Sequence, residues 1–142
     1  MGLIYSIIAG MLMSIQGVFN TRASEKIGLW EINLIVHSTG FILTLILFFI
    51  IGNGHLDKIT SVNKLYLLGG IIGVAIIYSV MKGVSEIGPA LANMTILIAQ
   101  LLLAYGIEAF GIFGTKAIGF EWSKIIGVLV MIVGIVIFQC RF

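Results

Sequence analysis

The chain has 142 residues, of which 60% are hydrophobic and 10% charged, and its mean hydropathy is +1.19. A soluble domain carries roughly 25% charged residues, so this composition excludes an ordinary soluble globular protein and predicts one that folds in a lipid bilayer. The net charge of +2 is too small to indicate a nucleic-acid partner, and a single cysteine, Cys140, excludes a disulfide within the chain.

Five stretches are apolar and long enough to cross a bilayer, which takes about 20 residues per helix. We expect these spans at residues of about 3–21, 32–51, 65–81, 89–111 and 125–138. No basic segment precedes the first one, so we interpret it as a retained span and not as a signal peptide. Pro89 suits the first turn of the fourth span, and Trp122 and Phe142 can anchor the fifth at the two interfaces. The sequence predicts an all-α membrane protein, with one five-helix unit over residues 1–142.

The loop charges are balanced across the membrane. Five spans place four cationic residues on each side: Lys58, Lys64, Lys116 and Lys124 on one side, and Arg22, Lys26, Lys82 and Arg141 on the other. The positive-inside rule therefore favours neither orientation. Two interpretations stay open, a dual topology in which inverted copies pair, and a fixed orientation with coincidentally balanced charges. Because five short spans enclose little interior, a second copy is expected to complete any pathway.

Two carboxamides interrupt the first span close to its end. Gln16 and Asn20 lie one helical turn apart, beside the small residues Gly10 and Gly17. An unsatisfied amide in lipid costs several kcal/mol, so each side chain needs a partner. They act either as hydrogen-bonding contacts between helices or as the neutral polar lining of a substrate cavity.

The fourth span carries a polar face formed by Asn93, Gln100 and Glu108 at helical spacing. Gln100 is expected near the bilayer midplane, with Glu108 about two turns away. A carboxylate away from the bilayer centre costs less free energy than one at the centre, so its presence does not by itself indicate a function. Glu108 therefore lies either in an aqueous pathway, where it is a candidate pH-sensitive group, or among headgroups near a loop lysine.

The second and third spans add single polar and aromatic groups. His37 shares a face of the second span with Asn33, and Tyr78 lies near the end of the third. A lone histidine is either hydrogen-bonded to a neighbouring helix or pH-sensitive, and without a second ligand nearby no metal site is predicted. The sequence shows no nucleophile–base pair of the kind that would indicate an enzyme.

Glycine pairs mark two predicted packing faces. Gly69 and Gly73 form a small-xxx-small pair in the third span, and Gly127 and Gly134 lie two turns apart in the fifth. Such spacing lets helix backbones approach closely, so the fifth span is a candidate dimer seam.

Several segments resemble the YdcZ-like family of the drug/metabolite transporter superfamily over nearly the whole chain. The most specific is Gln16-Gly-Val-Phe-Asn20-Thr-Arg, similar to the Q-x-x-x-N element that closes the family's first span. The other matching segments are Val36-His37-Ser38-Thr39-Gly40, Leu68-Gly69-Gly70 through Tyr78, Gly88-Pro89-Ala90, Ala99-Gln100-Leu101-Leu102 and Glu108-Ala109-Phe110-Gly111. Where the family usually has Asp-His-Phe-Gly, this chain has Glu108 and Ala109. The fifth span is similar to the dimerising last helix of small multidrug resistance exporters.

The resemblance implies a five-helix transporter unit that pairs, often antiparallel, into a ten-helix assembly. The small multidrug exporters use an acid in their first span, and the first span here has none, so proton-coupled cation export is not carried over. We therefore expect an antiparallel homodimer that transports a small organic solute without a cofactor. Its expected binding residues are Gln16, Asn20, Asn93, Gln100, Tyr78 and Glu108. A passive dual-topology channel and an accessory subunit of a larger complex are the alternatives.

Overall fold

The computed structural model describes residues 1–140, and within them the chain forms five long α-helices. Their bounds are α1 Gly2–Ile27, α2 Leu29–Ile51, α3 Gly69–Ile87, α4 Pro89–Phe110 and α5 Trp122–Gln139. All five are long and apolar enough to cross a membrane, which confirms the predicted all-α class with five spans. Arg141 and Phe142, expected to contribute a charge and an interfacial anchor, lie outside the described residues.

Helix α1 continues beyond the apolar stretch that predicts it. The sequence places the end of the span near Thr21, but the helix runs to Ile27. Arg22 and Glu25 form an exposed ion pair of 3.4 Å one turn apart along this polar extension. The helix stops at Gly28, whose φ of 104° is one that a residue with a side chain rarely adopts. Gly28 alone connects α1 to α2.

Helix α3 also continues past the predicted end of its membrane span, near Met81, to Ile87. Lys82 and Glu86 pair at 3.2 Å across one turn of this extension. On its N-terminal side, residues 52–68 connect α2 to α3 and contain two short 3₁₀ helices, Leu56–Ser61 and Lys64–Leu68.

Residues Met1–Glu86 form one compact unit, in which α1 packs against α2. Its buried side chains cluster near the turn between α1 and α2, with Thr21, Ile32, Met81 and Val84 among them. Most large apolar side chains elsewhere in the unit are exposed, as expected when lipid is the solvent.

The second compact unit begins at Ile87 and contains α4 and α5, which pack against each other. Helix α4 ends at Gly111, which adopts the left-handed conformation common at helix C-termini and donates to the Ile107 oxygen. The connection to α5 folds back on this end, because the Ile118 N–H donates to the main-chain oxygen of Glu108 at 3.1 Å. The Tyr105 hydroxyl donates to the Glu121 main-chain oxygen at 3.1 Å and accepts from the N–H of the same residue.

Candidate functional site

Gln16 and Asn20 meet at a narrow cleft between α1 and α3. The cleft has a volume of about 40 Å³. Its lining consists of Met13, Gln16, Gly17 and Asn20 from α1 and Ile76, Ile77 and Val80 from α3. Gly17 allows this close approach, since a Cβ atom added there would lie 3.2 Å from Val80 Cγ1. The two carboxamides thus face an otherwise apolar wall of α3.

The same two side chains also border an open groove along α1. This groove has a volume of about 510 Å³ and is lined by Ala9, Leu12, Met13, Ile15, Gln16, Phe19 and Asn20. Gln16 and Asn20 are therefore the polar boundary that the small cleft and the wide groove share.

Neither carboxamide has a protein partner in the part of the chain that the structure describes. Gln16 is exposed and Asn20 is half-buried, and neither side chain makes a hydrogen bond within residues 1–140. An amide at membrane depth needs a donor and an acceptor, because hydrocarbon supplies neither. Within the unit Met1–Glu86, neither side chain makes an interhelical hydrogen bond, and both sequence interpretations stay predictions.

A second polar contact joins α2 to α3 within the same unit. Asn33 is only 2% exposed, and its Nδ2 donates to the main-chain oxygen of Val74 at 2.9 Å. Its Oδ1 is buried and has no partner among the described residues. The sequence pattern puts Asn33 on a polar face with His37 but does not identify it as the buried contact between the two helices. No spacing within α2 marks Asn33 as buried, because its burial depends on how α3 packs against α2.

His37 and Tyr78 flank this contact. His37 Nδ1 lies 3.0 Å from the main-chain oxygen of Asn33. Its hydrogen bond therefore goes to its own helix, whereas the sequence suggests a neighbouring helix. On α3, a Cβ atom at Gly73 would lie 3.3 Å from His37 Nε2, so the histidine ring covers this glycine. The Tyr78 ring stacks on Trp30 of α2 with centroids 4.9 Å apart, and Tyr78 does not line the cleft or the groove described above.

The predicted polar face of α4 belongs to the second unit. Asn93 is half-buried, while Gln100 and Glu108 are exposed. Gln100 is central in the helix, and Glu108 lies about 12 Å further along the axis, near its C-terminal end. Glu108 forms no ion pair with any described residue.

The glycine pairs differ in their surroundings. Gly73 contacts His37, whereas Cβ atoms at Gly69, Gly127 and Gly134 would meet nothing within 4 Å. Gly134 borders a cleft of about 200 Å³ between α4 and α5, together with Met94, Leu97, Met131, Ile135 and Phe138. Among these four glycines of the described chain only Gly73 supports close helix packing, and the dimer seam on α5 stays a prediction. No three His, Cys, Asp or Glu side chains come together as a metal site in the described chain.

Comparison with known families identifies the chain. The family model described as "Putative inner membrane exporter, YdcZ" matches residues 1–137. The chain belongs to this YdcZ family. The YdcZ family is a transporter family of the drug/metabolite transporter superfamily and not an enzyme family. This member is a multi-pass protein of the inner membrane, with five helices long and apolar enough to span it. Neither the curated proteins nor the solved structures contain a significant match to the chain.

Proposed function

We propose that this YdcZ-family protein transports a small polar or zwitterionic organic solute by alternating access. The observation that carries the proposal is the pair Gln16 and Asn20, which borders both the α1–α3 cleft and the α1 groove without a partner in the described chain. A bound solute would supply the donors and acceptors that these carboxamides need at membrane depth.

The chemistry of the lining favours a neutral or zwitterionic solute. Carboxamides both donate and accept hydrogen bonds, so they recognise polar groups without selecting one charge sign. In our proposal Asn93 and Gln100 add to this lining, Tyr78 lies nearby, and Glu108 serves a vestibule at the membrane interface. Because Glu108 is the single acid in the predicted spans, a strongly cationic solute is disfavoured.

Pairing with an inverted second copy is the other part of the proposal. A small-molecule site usually encloses about 300–1,000 Å³. The cleft between α1 and α3 is far smaller, at about 40 Å³, and the wide groove along α1 is open. A second copy facing the groove would supply the missing wall, and an inverted copy would place a shared site at the membrane midplane.

Flux through reconstituted liposomes tests the transport proposal. A thermal-shift screen of polar and zwitterionic metabolites on the purified protein identifies a binder, because a ligand stabilises the folded state by mass action. Uptake of that binder should saturate and be accelerated by unlabelled solute on the opposite side. Linear uptake without counterflow would instead support a passive channel, and a protein stable only within a larger complex would support an accessory subunit.

Charge-biased variants test the antiparallel pairing separately. Two lysines added to the α1–α2 turn and two added to the α2–α3 connection should each trap one orientation, by the positive-inside rule. The two variants should transport only when they are produced together. Full activity from either one alone would rule out the antiparallel dimer while leaving the transport proposal standing.

A further inference from the structure

The connection between α2 and α3 carries amphipathic structure of its own. Its two 3₁₀ helices, Leu56–Ser61 and Lys64–Leu68, fill most of residues 52–68. In a 3₁₀ helix, side chains three residues apart lie directly above one another. Hydrogen bonds with this spacing are present, from Lys58 N–H to the His55 oxygen at 3.2 Å and from Tyr66 N–H to the Asn63 oxygen at 2.9 Å.

This spacing separates apolar from polar side chains in the first 3₁₀ helix. Leu56 and Ile59 form one row, and Lys58 and Ser61 form another. The apolar row contacts no protein core, since Leu56 is 64% exposed and Ile59 is 51% exposed. The second 3₁₀ helix repeats the pattern in part, with Leu65 above Leu68 and Lys64 outside that row.

The segment carries two lysines and one aspartate, a net charge of +1 with histidine neutral. Lys58 and Lys64 are exposed, and neither forms an ion pair with a described residue. The one acid of the segment, Asp57, lies 3.8 Å from His55 Nδ1. By contrast, Arg22 and Lys82 each pair with a glutamate on their own helix.

The position of the segment determines which part of the bilayer its apolar and cationic side chains contact. Helix α2 ends at Ile51 and the third candidate span begins at Lys64, so residues 52–63 lie between two membrane-spanning stretches at one surface, and Lys64 lies at the start of the second stretch. An apolar row beside cationic side chains at that depth is the pattern of segments that lie in the plane of the interface. Lysines there are attracted to anionic headgroups.

We propose that the α2–α3 connection is a binding surface for anionic phospholipid in the surrounding bilayer. The Leu56–Ile59 row lies among the upper acyl chains, and Lys58 and Lys64 reach the phosphate and headgroup charges. Such a surface would concentrate anionic lipid at this edge of the protein.

Lipid quenching of a single fluorescent label tests the surface. In a Cys140→Ser background, which removes the one native cysteine, Ile59→Cys and Ser61→Cys are labelled with bimane and reconstituted. The quencher is a phospholipid with brominated acyl chains, either phosphatidylglycerol or phosphatidylcholine at the same mole fraction. The label at position 59 should be quenched more than the label at position 61.

Phosphatidylglycerol should quench the label at position 59 more strongly than phosphatidylcholine does. We expect about fivefold local enrichment for each lysine, which corresponds to roughly 1 kcal/mol per cationic side chain near an anionic surface. The double variant Lys58→Gln/Lys64→Gln should bring the two lipids to equal quenching. The control Lys26→Gln/Lys82→Gln removes the same total charge elsewhere and should keep the preference.

Two results would overturn the proposal. Equal quenching at positions 59 and 61 would show that the apolar row does not face the acyl chains. A preference for phosphatidylglycerol that is absent, or that survives Lys58→Gln/Lys64→Gln, would show that these lysines do not recognise anionic lipid.

Discussion

The side chain of Asn33 on α2 donates a hydrogen bond to the main-chain oxygen of Val74 on α3, across 2.9 Å and 41 positions of sequence. This bond sets the rotation of the two helices relative to each other. It is consistent with the neighbouring contacts, in which His37 covers Gly73 and Trp30 stacks on Tyr78. The buried carboxamide of Asn33 thus provides a directional contact between α2 and α3, which are otherwise largely apolar.

Two substitutions of Asn33 distinguish the stability that its hydrogen bond provides from the stability that burial of its side chain provides. Asn33→Leu keeps a similar volume and loses one interhelical bond, which lowers stability by about 1 kcal/mol. Asn33→Asp places a carboxylate oxygen against the Val74 oxygen and buries a charge, which costs about 3 kcal/mol or more. Unfolding of the purified variants in mixed micelles measures both. An Asp variant as stable as the Leu variant would contradict the buried contact.

The close approach of α1 and α3 depends on the absence of a side chain at Gly17. In Gly17→Ala, the new Cβ atom lies 3.2 Å from Val80 Cγ1, so the two helices must shift or Val80 must move. Gly10→Ala is the matched control on the same helix, because its Cβ atom would meet nothing within 4 Å. Alanine is favoured over glycine in a helix by about 1 kcal/mol, so the control should gain stability.

We expect Gly17→Ala to be less stable than Gly10→Ala by about 1–3 kcal/mol, the usual cost of overpacking. Thermal unfolding followed by circular dichroism compares the two variants. Equal melting temperatures would mean that α1 and α3 do not pack at this point.

The carboxamides of α1 should matter for transport and not for assembly. Gln16→Leu and Asn20→Leu each remove a donor and an acceptor at the edge of the cleft, and we expect each to abolish transport while the proposed dimer stays intact. Met13→Leu is the control, because Met13 lines both the cleft and the groove and is apolar. Liposome flux and size-exclusion chromatography measure the two properties. Dissociated or unfolded Leu variants would show instead that the carboxamides join helices between copies.

The Tyr105 hydroxyl should hold the connection between α4 and α5 in place. Tyr105→Phe removes both hydrogen bonds to the Glu121 backbone, each worth about 0.5–1.5 kcal/mol. We expect faster tryptic cleavage after Lys116, which lies in this connection. Tyr5→Phe serves as the control, because Tyr5 is 71% exposed and its hydroxyl has no described partner. Identical cleavage rates in the two variants would count against the role of Tyr105.

Hydropathy predicts five membrane-spanning stretches, and two of the helices continue beyond the stretches that predict them. The apolar stretches stop near Thr21 and Met81, but α1 and α3 continue to Ile27 and Ile87. A hydropathy pattern reports which residues suit lipid, whereas a helix continues as long as its residues favour helical backbone. Arg22 pairs with Glu25 and Lys82 pairs with Glu86, each about one turn away on the same helix. Such pairs favour helical backbone in a stretch that is too polar for lipid.

The sequence predicts those features of the site that depend on a single helix, and not those that depend on how two helices pack. The one-turn spacing of Gln16 and Asn20 is enough to place them together on α1. That Asn33 is buried and bonded to Val74 depends on the rotation of α3 against α2, which no periodicity within α2 encodes. The same reason explains why Tyr78 stacks on Trp30 instead of lining the cleft with Gln16 and Asn20.

The one-residue link at Gly28 has a consequence for how the protein is made. Because no other residue separates α1 from α2, the two helices form a tight hairpin, and we expect them to insert into the membrane as one unit. The orientation of both helices then depends on one event, which is whether the turn around Gly28 crosses the bilayer. The ion pair between Arg22 and Glu25 lies on α1, within two turns of that glycine. Lysines added to the turn or to the connection after α2 lie at opposite ends of this hairpin, so each should bias its insertion in the opposite direction.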